Sequence, residues 1–215
     1  MQQWMIYGAN GYTGQLLARA AAQRGLRPIL AGRNRQTISA LANELNLPFR
    51  CFDLNRPQQI CEGLQDIQVV LHCAGPFSAT SGPMIDACLA AGCHYLDITG
   101  EIDVFVAAQQ RQADAEQAGI VLCPGVGFDV IPTDCIAARL KLALHDADRL
   151  ALGFDTHSSL SPGTARTSVE GLKYGGRVRK DDRIQTVPLA YQSREIDFGN
   201  GTKHAVTIPW GDIAT

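Results

Sequence analysis

A short apolar run, Trp4 to Tyr7, passes directly into Gly8-Ala9-Asn10-Gly11-Tyr12-Thr13-Gly14, and no other stretch constrains the fold as strongly. The glycines are spaced G-x-x-G-x-x-G. A helical pattern follows at once, with Leu16, Leu17, Ala20 and Ala21 on one face and Gly25 where a C-cap glycine belongs. A glycine turn between strand and helix lets backbone approach a diphosphate, and unpaired N–H groups at the helix N-terminus face its charge. Gly8 would make the tight turn, Gly11 would keep the approach free of a Cβ, and Gly14 would let the helix pack close to the strand. The same spacing also occurs in plain strand–turn–helix corners. The strand before it and the helix after it favour a dinucleotide.

Short apolar runs then alternate with amphipathic helices. The runs are Pro28 to Ala31, Phe49 to Phe52, Val69 to Cys73, His94 to Ile98 and Ile120 to Cys123. Helical spacing appears in Ile38-Leu41-Ala42-Leu45, in the segment opened by Pro83 in its first turn, from Phe105 to Ala118, and from Thr133 to Leu144. Strand and helix alternating with short connections predict an α/β fold: a doubly wound parallel Rossmann sheet over residues 1–147, with ligands at the carboxyl ends of its strands.

After residue 147 the pattern changes. A strand over Leu150–Asp155, a helix over Thr164–Tyr174 and short strands at Thr186–Tyr191, Arg194–Phe198 and Ala205–Ile208 predict a smaller α+β domain over 148–215. The last residues, Ile208 to Thr215, read as a loop opening a new element, so this domain is expected to be incomplete and to leave a sheet edge unpaired. A homodimer joined through residues after about 150 follows as an expectation.

Composition narrows the classes of partner. A net charge of −2 gives no electrostatic reason for nucleic acid or an anionic membrane, and no apolar run approaches the roughly 20 residues of a membrane span. Seven cysteines without a C-x-x-C pair, mostly in apolar runs, indicate neither a disulfide framework nor a metal site, so a reduced, cytoplasmic setting is expected.

Candidate site residues collect at the ends of the apolar runs. The second run ends in Gly32-Arg33, where NAD-preferring enzymes place an acid for the ribose 2′-hydroxyl. Arg33 suits a 2′-phosphate instead, which points to NADP over NAD; a solvated arginine opening the next helix is the alternative. Asp53 ends the third run and could accept from the adenine amine or cap a turn. Ala74-Gly75-Pro76 closes the fourth and offers backbone without bulk to the nicotinamide ribose, while His72 just before it fits a strand-end role as well as a catalytic one. Asp97, Glu101 and Asp129 are the candidate proton carriers, although capping explains each about as well; capping is also the better explanation of Asp134.

G-A-N-G-Y-T-G, L-A-G-R-N, C-A-G-P-F, H-Y-L-D-I-T-G-E and P-G-V-G-F-D-V-I-P-T-D, in this order over residues 1 to about 140, resemble the saccharopine dehydrogenase-like oxidoreductases. That group includes saccharopine reductases and trans-acting enoyl reductases. Ser161-Pro162-Gly163-Thr164-Ala165 and Glu170 continue the likeness. The resemblance implies a Rossmann domain, NADP(H), and a second domain holding a small-molecule substrate. It places the cofactor loop on Gly8, Gly11 and Gly14, the ribose end on Arg33, and the nicotinamide-side turn on Gly75 and Pro76; Asn10, Tyr12 and Thr13, within the same loop, are candidate cofactor-binding residues with them. Asn10 departs from the commoner threonine, and family members run longer than this chain. A dinucleotide sensor without turnover is the alternative function. A short-chain dehydrogenase is set aside because no tyrosine is followed by lysine at Tyr-x-x-x-Lys spacing.

Overall fold

A computed structural model of the chain describes residues 3–157 and 162–214. Strands β1 (Gln3–Tyr7), β2 (Ile29–Gly32), β3 (Phe49–Cys51), β4 (Ile67–His72), β5 (His94–Asp97) and β6 (Leu122–Cys123) form one parallel sheet in the order β3-β2-β1-β4-β5-β6. The order reverses between β1 and β4, where Tyr7 lies beside His72. Successive strand residues point to opposite faces. Met5 and Tyr7 therefore enter a core with Ile60, Leu64, Met84 and Cys88, while Ile6 enters a second core with Ala18, Leu30, Ile38 and Leu41. Both faces are covered, as a parallel sheet requires.

The helices of this unit are α1 (Tyr12–Gln23), α2 (Arg35–Leu45), α3 (Pro57–Gly63), α4 (Phe77–Ala91), α5 (Ile102–Gln110), α6 (Gln112–Ala118) and α7 (Ile131–Ala143). Three details depart from the sequence expectation. α3 was not foreseen. The single helix expected over Phe105–Ala118 is divided at Arg111, which is both the C-cap of α5 and the N-cap of α6. Pro83 lies inside α4 rather than in its first turn, because α4 already begins at Phe77.

Beyond α7 the expected strand Leu150–Asp155 takes no regular secondary structure. It lies against a hairpin through side chains: Asp155 is paired with Lys203, and Gly153 sits close to Ile196. Helix α8 (Pro162–Gly171) continues into a 3-10 turn, Leu172–Tyr174. Ser161 and the side chains of Thr164 and Glu170 lie outside what is described.

Two antiparallel hairpins follow, β7 (Gly176–Lys180) with β8 (Arg183–Val187) and β9 (Ser193–Asp197) with β10 (Thr202–Val206). Asp181 and Asp182, at φ 52° and 57°, make the two-residue turn of the first with the left-handed backbone that such a turn needs. β7 was not foreseen. The strand expected over Thr186–Tyr191 stops at Val187, because Pro188 has no N–H for a ladder and Ala190 sits at φ 52°. The chain end is also not a bare loop. Gly211–Ala214 forms a 3-10 turn that packs on α5, where Gln109 Nε2 donates to the Ala214 carbonyl at 2.7 Å. Among the described residues, no helix is long and apolar enough to cross a membrane.

Candidate cofactor and catalytic site

The glycine loop is built as its spacing predicts, and each glycine has a different reason. Gly8, at φ 80°, donates its N–H to the Ala31 carbonyl at 2.8 Å; a Cβ there would lie 2.8 Å from Ala74 N. The turn after β1 is thus pressed against the turn after β4. A Cβ on Gly14 would fall 2.2 Å from Gly8 O, so α1 can reach the strand only without one. Gly11 has φ −74°, open to any residue, and a Cβ there would closely approach only Gly8 O, at 3.2 Å. Gly11 is exposed, and without a side chain it leaves the N-terminus of α1 uncovered. No side chain caps that helix, and among the described residues the N–H groups of Tyr12, Thr13 and Gly14 have no acceptor. A cradle that a side chain would fill, lined by N–H donors, fits a pyrophosphate.

At the end of β2, Gly32 is buried and Arg33 exposed, with no hydrogen bond or ion pair to its guanidinium among the described residues. Arg33 does not open the next helix; Asn34 is the N-cap of α2 and accepts from Thr37 N–H. Asp53 caps a turn: its Oδ1 accepts from the N–H and the side-chain amide of Asn55 at 2.9 and 3.0 Å, leaving Oδ2 unpartnered among the described residues. Burial, followed by the charge of Asp53, raises the Tyr7 phenol's pKa; Arg33 acts against it.

The turn after β4 is held by Thr80, which sequence inspection missed, together with His72, whose strand-end reading it offered. Thr80 Oγ1 shares its one hydrogen between the carbonyls of Ala74 and Pro76, at 2.7 and 3.0 Å. Its single hydrogen is thereby committed, so the 3.1 Å contact with His72 Nε2 is a donation by the histidine. Burial lowers the His72 pKa to about 3, so the ring is neutral at neutral pH and serves the turn at the strand end. Thr80 sits four residues after Pro76, in the first turn of a helix. That back-bonding position is the local signal that could have found it.

The three candidate carboxylates have different surroundings. Asp97 is fully buried and accepts from Tyr95 OH (2.6 Å), Thr99 N–H (2.9 Å) and Gly125 N–H (2.8 Å), tying the end of β5 to the loop after β6. Burial raises its pKa against the pull of those three donors. Glu101 accepts from the N–H groups of Phe77 and Ser78, both at 2.8 Å, and so caps α4 from another loop. Asp129 alone has a carboxylate with no hydrogen-bond partner among the described residues. It stands over Gly100, its Oδ2 3.6 Å from where a Cβ would be, and its backbone carbonyl accepts from Trp210 Nε1 at 2.6 Å. Burial and then the nearby Asp212 raise its pKa. Asp212, which accepts from Thr133 Oγ1, is far away in sequence and carries no local signal. Asp134 lies in the first turn of α7, and the N-cap is Val130.

A family model described as the saccharopine dehydrogenase NADP binding domain matches residues 4–123, more than half of the chain and nearly the whole parallel sheet. The chain belongs to this family. A trans-acting enoyl reductase of Mycobacterium ulcerans is 35% identical over 144 residues, covering 60% of this chain and 33% of the relative. A human saccharopine dehydrogenase-like oxidoreductase is 27% identical over 214 residues, covering 86% of this chain and 50% of that one. The chain therefore spans half or less of the length of these curated relatives. Apo saccharopine dehydrogenase (L-Glu forming) from Saccharomyces cerevisiae matches the fold at a TM-score of 0.61 with 14% identity, covering 94% of this chain and 48% of the other. The NADP-binding family assignment falls on the glycine loop and sheet edge described above, and the cradle over Gly11 fits that cofactor.

Proposed function

We propose that this chain binds NADP(H) along the carboxyl edge of its sheet and takes part in hydride transfer to or from a small-molecule substrate, with Asp129 as the proton carrier. The observation that carries the proposal is the cradle at the start of α1, with uncovered N–H donors and no side chain at Gly11. Bound NADPH supplies a hydride. The N–H groups of Tyr12, Thr13 and Gly14 would hold the pyrophosphate, Arg33 would meet the 2′-phosphate, Asp53 Oδ2 would accept from the adenine amine, and the Ala74–Pro76 turn would face the nicotinamide ribose. Asp129 keeps its proton to a higher pH than an ordinary aspartate and gives it to the substrate atom next to the carbon being reduced. Asp97 and Glu101, whose oxygens are engaged, hold the loops in place. The test is NADPH oxidation with a panel of imines, enoyl esters and keto acids. Binding without oxidation of any of them supports the sensor alternative.

Arg33→Ala is expected to remove most of the preference for NADP(H) over NAD(H), about ten- to a hundredfold in affinity for a lost charge-assisted contact. Fluorescence titration with both cofactors checks this, and equal affinities in the unsubstituted chain would remove the 2′-phosphate role.

Self-association belongs to the same proposal. After residue 150, Leu189, Val206 and Ile208 are 47%, 49% and 41% exposed, and α7 before it also buries none of its side chains. Light scattering at micromolar concentration is expected to give a dimer; a stable monomer defeats this part.

A further inference from the structure

Three consecutive residues of the segment after β10 grip the loop that carries Asp129. Trp210 Nε1 donates to the Asp129 carbonyl at 2.6 Å. The Thr133 hydroxyl shares its hydrogen between Asp212 Oδ1 and the Val130 carbonyl. Gly211, between them, is buried; a Cβ there would lie 2.8 Å from Phe105 Cε2 and 3.2 Å from Val130 Cγ2. The Phe105 ring also backs Gly125, where a Cβ would fall 2.8 Å from its Cε1. One buried ring on α5 therefore supports both the root of the loop and the segment bonded to it. The root is tied a second time, since Gly125 and Val126 each donate at 2.8 Å to Asp97, one to its side chain and one to its carbonyl. The exit is fixed by Val130, which is 3% exposed. Between root and exit Phe128 is 80% exposed, and the bond from Trp210 is the one hydrogen bond to Asp129 among the described residues. Phe154 packs against the indole, ring centroids 5.1 Å apart, and restricts its rotation.

We propose that Trp210 is a positioning residue for the Asp129 carboxylate, clasping its loop together with Gly211 and Asp212. This inference rests on the proton-carrier reading of Asp129 given above. Trp210 acts through the loop backbone: with the Asp129 carbonyl held, the carboxylate keeps only the rotations of its own short side chain. The clasp also keeps that carboxylate beside Asp212, whose own neighbour in charge is Asp134 on α7. Glu101, next to Gly100, is bonded to the amides of Phe77 and Ser78. The ionisable groups that act on Asp129 from the clasp are thus acids, so a loop released into water gives up its carboxyl proton more readily.

The experiment is an NMR titration of the isotope-labelled chain, Trp210→Phe and Gly211→Ala. Trp210→Phe keeps a ring against Phe154 and removes the donor, whereas Gly211→Ala keeps the donor and pushes the segment off Phe105. The two act by different routes, so either one decides the question if the other fails to fold. The chain has two tryptophans, and the Trp210 indole signal is identified by its loss in Trp210→Phe. That indole N–H should exchange with solvent about tenfold faster in Gly211→Ala than in the unsubstituted chain. The Asp129 carboxyl carbon should titrate with a lower midpoint in both variants, towards that of an exposed aspartate. A contact that serves packing alone would lower the melting temperature and leave this midpoint in place, and that result overturns the inference. So does an indole N–H that exchanges equally fast in the unsubstituted chain and in Gly211→Ala. An Asp129 midpoint already in the ordinary aspartate range in the unsubstituted chain overturns the proton-carrier reading instead, and the indole exchange then decides the clasp.

Discussion

Gly11→Val should abolish NADPH binding while leaving the melting temperature near that of the unsubstituted chain. The backbone at φ −74° accepts valine, and the one close approach of its Cβ, to Gly8 O at 3.2 Å, needs a shift of a few tenths of an ångström, so the fold is expected to survive with a modest loss. The methyl groups instead enter the space above the N–H donors of Tyr12, Thr13 and Gly14, which a pyrophosphate must occupy to reach them. A loss of at least a hundredfold is expected from displacing several charge-assisted hydrogen bonds at once. Gly14→Ala is the contrasting control. Its Cβ would stand 2.2 Å from Gly8 O, which forces α1 away from the strand. It should cost about 3 kcal/mol or more, the upper range for overpacking, and lower the melting temperature by on the order of 10 °C. Titration and thermal melting of both variants separate the two roles. Unchanged NADPH binding by folded Gly11→Val would reduce the loop to a turn.

Asp129→Asn should lower turnover by about 10² to 10⁴, the usual contribution of a positioned proton carrier, with NADPH affinity unchanged. The pH dependence has a definite sign. Burial and Asp212 raise the Asp129 pKa, so the donor form persists above the normal aspartate range; reduction should fall as pH rises through that raised value, and oxidation should rise. Asp212→Asn removes one of the two causes and should move the limb to lower pH. A pH profile in the reducing direction that rises over this range, or Asp129→Asn with full turnover, assigns the proton to another group.

The parallel sheet was legible because its signals are local: apolar runs, glycine turns and helical spacing occur in order. The cofactor loop was legible for the same reason, since Gly8, Gly11 and Gly14 sit within one strand–turn–helix unit. Features fixed by distant partners were not. The start of α4 is set by Glu101, from the loop after β5, so Pro83 was placed in the first turn when it lies inside the helix. Asp97, Glu101 and Asp129 looked alike as acids near strand ends. Their difference comes from Tyr95, Gly125, Phe77, Ser78 and Asp212, which only the fold brings near. β7, with Arg177, Arg179 and Lys180, shows little apolar alternation, and Arg177 is used in pairing with Asp103 on α5.

The carboxylate of Glu101 gives two neighbouring turns a single mechanical behaviour. One end of the tie is the first pair of amides of α4, directly after Ala74–Pro76; the other is the start of α5, reached from Thr99 through its hydroxyl and the Glu101 N–H at 3.0 Å. Asp97 extends the tie to Gly125, at the root of the segment that carries Asp129. Displacement of any one of these turns therefore strains the next, and the rim of the sheet from β4 to β6 moves as one linked hoop rather than as three separate fingers.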